Sequence, residues 1–269
     1  MTGRVLIIAG SDSGGGAGIQ ADIKTVTIMG GYAATAVTAI TVQNTLGVSD
    51  IHPIPTSIIR GQIRAVLDDL GADAIKIGML GTAEIITGVA EDLRSVDIPI
   101  VLDPVMVAKG GSALLDPDAI ESLKRQLLPM AAVLTPNLPE AEALLNRSLT
   151  TKDDILTAGH DLLTLGPKAV VMKGGHGTGN TVQDWLITRQ GNTVVEHPRL
   201  YTRHTHGTGC TFAAALATGL ARGATLADSL NQAAAFVHQA IRHAPGLGAG
   251  PGPLGHNWSL VDPAATATD

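Results

Sequence analysis

Six short aliphatic runs, Val5–Ala9, Ala34–Val42, Ala74–Ile77, Ile98–Leu102, Ala131–Leu134 and Ala169–Met172, are each followed within three residues by Gly, Asp or Asn. Between them lie amphipathic stretches with helical spacing, at Ser57–Leu70, Thr82–Arg94, Asp116–Leu128, Glu140–Leu145 and Asp153–Leu165. A strand that is apolar at every position has both faces buried, and strands that alternate with helices run parallel. The pattern predicts an α/β fold: a single doubly wound, mostly parallel sheet with helices on both faces. After residue 180 the pattern changes. Asp184–Arg189 and Thr193–His197 flank Gln190-Gly191-Asn192, which predicts a small β-hairpin near residues 184–197. Two alanine-rich helices, about Gly209–Arg222 and Leu226–His243, come next, and a Gly/Pro-rich tail begins at about residue 245. No linker or repeat interrupts this order, so residues 1–269 are expected to form one domain with no separate lid domain.

Composition narrows the function. Only Tyr32, Trp185, Tyr201, Phe212, Phe236 and Trp258 are aromatic, so the core must be built from Ala, Val, Ile and Leu. With so few rings to stack bases, and 18 basic against 24 acidic side chains, nucleic-acid binding is not expected. The single cysteine, Cys210, rules out an internal disulfide and a cysteine-based zinc cluster, and suits a reducing compartment. The longest uncharged stretch, Thr25–Ser49, carries six Thr, a Gln and an Asn, which makes it a poor membrane span. No charged-then-apolar leader is read at the start, so a cytoplasmic protein without membrane association is expected.

In doubly wound sheets, ligands bind at the carboxyl ends of the strands, and the unusual polar and glycine-rich segments all fall there. GSDSGGGAGIQAD (10–22) has five glycines in nine positions, which lets the backbone approach a ligand closely. It lacks the Gly-Lys-Ser/Thr of a Walker A loop. It does satisfy a loose GxGxxG/A pattern, but no acidic residue closes the second strand to hold a ribose. A ligand-covering loop is therefore favoured over a dinucleotide site or a plain tight turn. Gln43-Asn44 offers donor and acceptor side by side, suited to a heteroaromatic ring edge or to a simple strand-end cap. DPVMVAKGG (103–111) opens with a strand-end carboxylate, Asp103, which would either hold Mg²⁺ or orient a phosphate, or else start a turn, and its glycines suggest a mobile loop.

TPNLPEAEAL (135–144) reads first as a capping box, with Asn137 as N-cap, Pro139 in the first turn and Glu140 three residues on. In VVMKGGH (170–176), Lys173 either reaches phosphate oxygens or is a solvated strand-end lysine. The segment THGTGCTFAAALATGLA (205–221) is the most telling. Gly207, Thr208, Gly209 and Cys210 open an alanine-rich helix, whose first amides form an anion hole for a phosphoryl group in transit. Cys210 sits where the positive helix end lowers a thiol pKa, which would suit a base, the alternative being a small buried residue in a packed first turn.

GSDSGGGAGIQADIK, TVQNTLGV, KIGML, DPVMVAKGG, TPNLPEAEAL, KGGH and THGTGCTFAAAL together resemble, in order and spacing, the hydroxymethylpyrimidine/phosphomethylpyrimidine kinases of thiamine biosynthesis, of the ribokinase-like superfamily. The resemblance spans about residues 4–258. It implies an enzyme that uses Mg·ATP to phosphorylate 4-amino-5-hydroxymethyl-2-methylpyrimidine and then its monophosphate. By that resemblance, the pyrimidine site maps onto Gly10, Asp22, Gln43, Met79 and Val107, with Gln43 reading the aminopyrimidine edge. Cys210 stands where sugar-kinase relatives carry a catalytic Asp. Lys173 meets ATP phosphates, Asp103, Asn137 and Glu140 organise Mg²⁺ and the triphosphate, and Lys109 rides on a flap. The resemblance also suggests a homodimer.

Two other readings are weighed against it. Pyridoxal or pyridoxine kinases of the same subgroup share the GTGC motif, and a dual-substrate enzyme is conceivable. Members directed at pyridoxal can carry a flap cysteine, where this chain has Val107-Ala108-Lys109. A non-catalytic metabolite sensor on the same fold would not need Cys210, Lys173, Asp103 and Glu140 together.

Overall fold

The computed structural model describes residues 2–106, 115, 117–177 and 179–261. All six aliphatic runs overlap strands. In chain order the elements are β1 (Arg4–Asp12), α1 (Gly18–Ile28), β2 (Tyr32–Asn44), β3 (Gly47–Pro53), α2 (Thr56–Ala65), β4 (Ala74–Ile77), α3 (Ala83–Leu93), β5 (Ile100–Leu102) and α4 (Pro117–Gln126). They continue with β6 (Val133–Leu134), α5 (Leu138–Leu145), α6 (Lys152–Thr164), β7 (Ala169–Met172), β8 (Thr181–Thr188), β9 (Gly191–Pro198), α7 (Thr208–Ala221), α8 (Leu226–Arg242) and α9 (Trp258–Val261). The described strands form one sheet in the order β3-β2-β1-β4-β5-β6-β7-β8-β9. Pairing from β2 through β7 is parallel, while β3, β8 and β9 are antiparallel additions at the two edges.

Alternation along the central strands divides the core in two. Leu6 and Ile8 of β1, with Ile75, Ile77, Ile100, Leu102 and Leu134, pack on one side against α2 to α6. Val5, Ile7 and Ala9, with Val101, Val133 and Val171, face α1, α7 and α8 on the other. Helix α7 is buried from Thr211 to Gly219. Its alanines let the backbone lie close to the sheet, so the position of its N-terminus follows from packing along its whole length. Among the described residues, no helix is long and apolar enough to cross a membrane.

Three details differ from the expectations. Strand β2 runs on to Asn44 and turns through Thr45-Leu46 into β3, a strand the hydrophobic pattern did not reveal. Its sequence GVSDIHP is polar and exposed because it pairs on one side only, at the sheet's edge. The hairpin β8–β9 is present, but its turn is Arg189-Gln190, with Thr188 opposite Gly191, so the register differs from the predicted one. The stretch read as helix to Leu70 ends as α-helix at Ala65 and closes with a wider turn over Val66–Leu70, stopped by Gly71 at φ 65°.

Candidate active site

From β1 the chain moves outward to β2, then returns to place β4 on the other side of β1. Such a reversal leaves a crevice at the carboxyl ends of the strands. A cleft of about 660 Å³ opens there. It is lined by the ends of β1, β2, β4, β5 and β7, the N-termini of α5 and α7, and a wall from β8 to Leu200.

The glycine-rich loop after β1 is organised by Asp12, which is 3% exposed. Its Oδ1 accepts from the Gly14 amide at 2.8 Å, and Oδ2 from the Gly16 and Ala17 amides at 3.0 and 2.8 Å. His206 Nε2 donates to the same Oδ2 at 2.8 Å. Burial alone would raise the pKa of Asp12, but the His206 bond and the amides of Ala17 and Gly14 outweigh it and hold the carboxyl below its usual range. The loop is thus shaped around an anion of the protein's own.

His206 immediately precedes Gly207, which has φ 83° and N-caps α7 with no side-chain bond to the helix amides. A Cβ on Gly207 would lie 1.7 Å from the Gly16 oxygen, so only glycine lets the loop and the helix start meet. Gly207, Thr208, Gly209 and Cys210 all line the cleft, and the Thr208 amide donates to the Thr205 carbonyl at 3.4 Å.

Cys210, in that turn, lines the cleft and is half-buried. Its environment corrects the expectation of a lowered pKa. Burial pushes the thiol up to about 11, and the nearby carboxylates of Asp22 and Asp103 add to this against the pull of Lys76 and the Gly18 amide. Desolvation and the neighbouring anions outweigh the helix terminus, so the resting side chain is a neutral thiol.

Opposite the helix start, Lys173 Nζ lies 2.6 Å from Asp103 Oδ1 and 3.8 Å from Glu140 Oε2. A Cβ on Gly209 would be 3.3 Å from Lys173 Nζ and 3.6 Å from Asp103 Oδ2, which places both groups against the first turn of α7. Burial alone would lower Lys173, but Asp103 and Glu140 more than offset it and keep the ammonium charged. Burial, with Asp103 close by, pushes Glu140 upward against Lys173 and Asn137.

The predicted capping box is present. Asn137 Oδ1 accepts from the Glu140 amide at 2.9 Å, and Glu140 Oε2 from the Asn137 amide at 2.8 Å. The box still belongs to the site, because it orients Glu140 toward Lys173. Thr135 Oγ1 donates to Asp103 Oδ1 at 3.2 Å. Asp103 Oδ2 and Glu140 Oε1 make no hydrogen bond with the described residues and remain as hard oxygen donors. Among the described residues there is no cluster of three or more His, Cys, Asp or Glu able to hold a metal alone. Two carboxylates suit a cation such as Mg²⁺, which takes its other oxygens from phosphate and water.

Gly10, Gln43 and Met79, at the ends of β1, β2 and β4, line the same cleft. A Cβ on Gly10 would lie 2.5 Å from Met79 Cε, which puts the methionine against the end of β1. Asp22 does not line the cleft. It is fully buried in α1 and pairs with Lys76 at 2.7 Å, and it is Lys76, in the middle of β4, that reaches the cavity. Burial pulls Asp22 upward against the lysine, while Asp22 and Asp103 overcome the effect of burial on Lys76 and keep it charged. Val107 and Lys109 lie outside the described residues.

Sequence reasoning missed Asp12, His206, Lys76 and Asp184. Asp184, on β8, is buried and accepts from the Gly174 amide at 2.8 Å. Burial raises its pKa to about 6 against that bond and Lys173. Val182, Leu200, Phe212, Val237 and Ile241 give the cleft apolar walls, interrupted by His197, Arg199 and His238.

Comparison with known proteins gives a consistent result. The family described as phosphomethylpyrimidine kinase matches residues 12–255. A hydroxymethylpyrimidine/phosphomethylpyrimidine kinase of Haemophilus influenzae is 48% identical over 263 residues, covering 95% of this chain and 97% of its own. Among solved structures, the ADP complex of Bacillus subtilis pyridoxal kinase has a TM-score of 0.90 at 38% identity, covering 97% of this chain and 100% of the other. The phosphomethylpyrimidine kinase of Clostridium difficile has a TM-score of 0.80 at 40% identity, covering 89% of this chain and 100% of the other.

Proposed function

For a chain that belongs to the phosphomethylpyrimidine kinase family, we propose that this cleft transfers the γ-phosphoryl group of ATP to 4-amino-5-hydroxymethyl-2-methylpyrimidine and then to its monophosphate, in thiamine biosynthesis. The chain is a kinase of that family. The observation that carries the assignment of roles is the meeting of Lys173, Asp103 and Glu140 with the first turn of α7. One point of the cleft then combines a fixed cation, two carboxylates and the start of a helix, which is what a triphosphate in transfer requires.

In this reading the nucleotide base and ribose lie against Val182, Leu200, Val237 and Ile241, and the γ-phosphoryl group rests on the amides of Gly207 to Cys210. Lys173 and Lys109 meet phosphate oxygens. Asp103 and Glu140 would hold Mg²⁺, with Asn137 orienting Glu140, and the ion would supply charge neutralisation for the phosphates. The pyrimidine lies among Gly10, Gln43, Met79 and Val107, with Asp22 acting through Lys76. Its hydroxymethyl oxygen points at Cys210, whose thiolate accepts the proton as the oxygen bonds to the γ-phosphorus and the bond from that phosphorus to the bridging oxygen breaks, releasing ADP. Because the resting thiol is neutral, the competent thiolate is a small fraction at neutral pH and grows as pH rises. In the second reaction the acceptor is an ionised phosphate that carries no proton to remove, so the thiol matters less there.

Ile40, Val42 and Leu46 are 48%, 58% and 73% exposed along the β2–β3 edge, which supports a homodimer. The free thiol in the reaction supports a reducing, cytoplasmic setting. The test is mass analysis of products after incubation with Mg·ATP and, separately, the pyrimidine alcohol, its monophosphate and pyridoxal. Conversion of the monophosphate to the diphosphate supports the assignment. Phosphorylation of pyridoxal alone would move the enzyme to the vitamin B6 kinases, a reading favoured by the fit to the Bacillus subtilis structure. No product from any of the three would return it to a metabolite sensor.

A further inference from the structure

Three side chains around the glycine-rich loop constrain one another's polarity. A carboxylate only accepts hydrogen bonds, so the 2.8 Å contact between Asp12 Oδ2 and His206 Nε2 requires that nitrogen to carry a hydrogen, whether the ring is neutral or cationic. The same nitrogen lies 3.3 Å from Gln43 Nε2, while Gln43 Oε1 is 3.1 Å from Thr41 Oγ1. That arrangement sets one donor against another. The two ends of an amide have the same shape and are told apart by their partners alone.

Turned over, the amide completes every pairing. His206 Nε2–H is then shared by Asp12 Oδ2 and the Gln43 carbonyl. The Gln43 NH₂ donates to Thr41 Oγ1, whose own hydrogen goes to the Ser11 carbonyl at 2.9 Å. His206 is itself fixed by its amide, which donates to Gly252 O at 3.1 Å, and by Gly207 behind it.

We propose that His206 is a positioning residue for specificity: by donating from Nε2, it decides which end of the Gln43 amide faces a heteroaromatic ring in the cleft. The inference rests on the reading that the pyrimidine edge meets Gln43. A 4-aminopyrimidine presents a donor beside an accepting ring nitrogen, and a 4-oxo ring presents the reverse. A fixed amide matches one pattern and leaves the other with unpaired polar groups, whereas an amide free to turn accepts both.

The experiment measures kcat/KM for the 4-amino and 4-oxo forms of the hydroxymethylpyrimidine in the full-length enzyme. His206→Met removes the donor at similar volume. It should lower the 4-amino to 4-oxo ratio by at least about tenfold, with the KM for ATP within about twofold of wild type. His206→Gln places an amide NH₂ where Nε2 stood and should restore most of the ratio. Thr41→Val removes the other anchor and should lower the ratio while leaving the bonds of Asp12 to the loop amides and to His206 in place, and it serves if His206→Met does not fold. A ratio unchanged in both His206→Met and Thr41→Val overturns the proposal. Gln43→Ala separates the two layers: an unchanged KM for the alcohol overturns the placement of the ring and the proposal with it, whereas a raised KM with undisturbed ratios in the other variants overturns the role of His206 alone.

Discussion

Replacing Lys76 by methionine keeps the length of the side chain and removes the cation that faces Asp22 at 2.7 Å in a fully buried pair. Asp22 is then stranded, because its Oδ1 has no partner even in the intact protein. A carboxylate in that position has two courses. Staying charged costs about 3–5 kcal/mol, as when one member of a buried pair is removed. Taking up a proton sets a ceiling, because neutralising an acid with an unfolded pKa near 3.9 costs about 1.4 kcal/mol for each pH unit above it. The expected loss is therefore at most about 3 kcal/mol at pH 6 and at most about 4 kcal/mol at pH 7, because burial already pulls Asp22 upward in the intact pair. The sign follows from proton counting. The folded variant holds a proton that its unfolded chain has released, so stability falls as pH rises, and the gap from wild type widens. Urea unfolding of both proteins at the two pH values measures it. Asp22→Asn combined with Lys76→Met removes both charges and should recover most of the loss. A gap that is flat with pH, or a double variant no more stable than Lys76→Met, would refute the view that charge pairing rather than packing of the lysine stem holds this position.

Cys210→Ala should lower turnover of the pyrimidine alcohol by about 10²–10⁴-fold with ADP affinity unchanged, and lower turnover of the monophosphate less. Wild-type turnover of the alcohol should rise with pH toward the thiol pKa of about 11, and that rise should be absent from the variant; a preserved rise would remove the thiol from the mechanism. Asp12→Asn puts one donor where the carboxylate offered only acceptors, so at least one loop amide or His206 loses its partner. We expect a loss of about 1–3 kcal/mol in urea unfolding, and wild-type stability in that assay would mean the loop holds its shape without Asp12.

The sheet was legible in the chain because each central strand is buried on both faces and is written as a largely apolar run. Ala74–Ile77 coincides with β4 from end to end. Strand β3 was not legible, since an edge strand pairs on one side and needs no apolar pattern. Gly10, Gln43, Met79, Asp103, Asn137, Glu140, Lys173 and Cys210 do line one cleft, whereas Asp22 lies behind it, and the motifs that carry them each had an ordinary alternative when read alone. Asn137 shows why: it is both the cap that local sequence predicts and the residue that orients Glu140. The pKa of Cys210 was misjudged because a helix terminus is a local feature, while the carboxylates that oppose it arrive from α1 and the end of β5. His206 and Asp12 are 194 positions apart, so neither announces the other. Lys76 did leave a signal. A lysine inside the run Ala74-Ile75-Lys76-Ile77 has to find a buried anion, and Asp22 was available.

The central position of α7 bears on how the chain is made. Val5, Ile7 and Ala9 belong to the first strand, yet the helix that covers much of that face begins at Thr208. At about 5–20 residues per second, the ribosome takes about 10–40 s to supply it. Over that interval the first strands can pair with one another but keep an aliphatic face in water. Part of that face stays uncovered until α7 emerges, and the cleft residues at the start of that late helix arrive together with the cover of the core. An incomplete chain has neither.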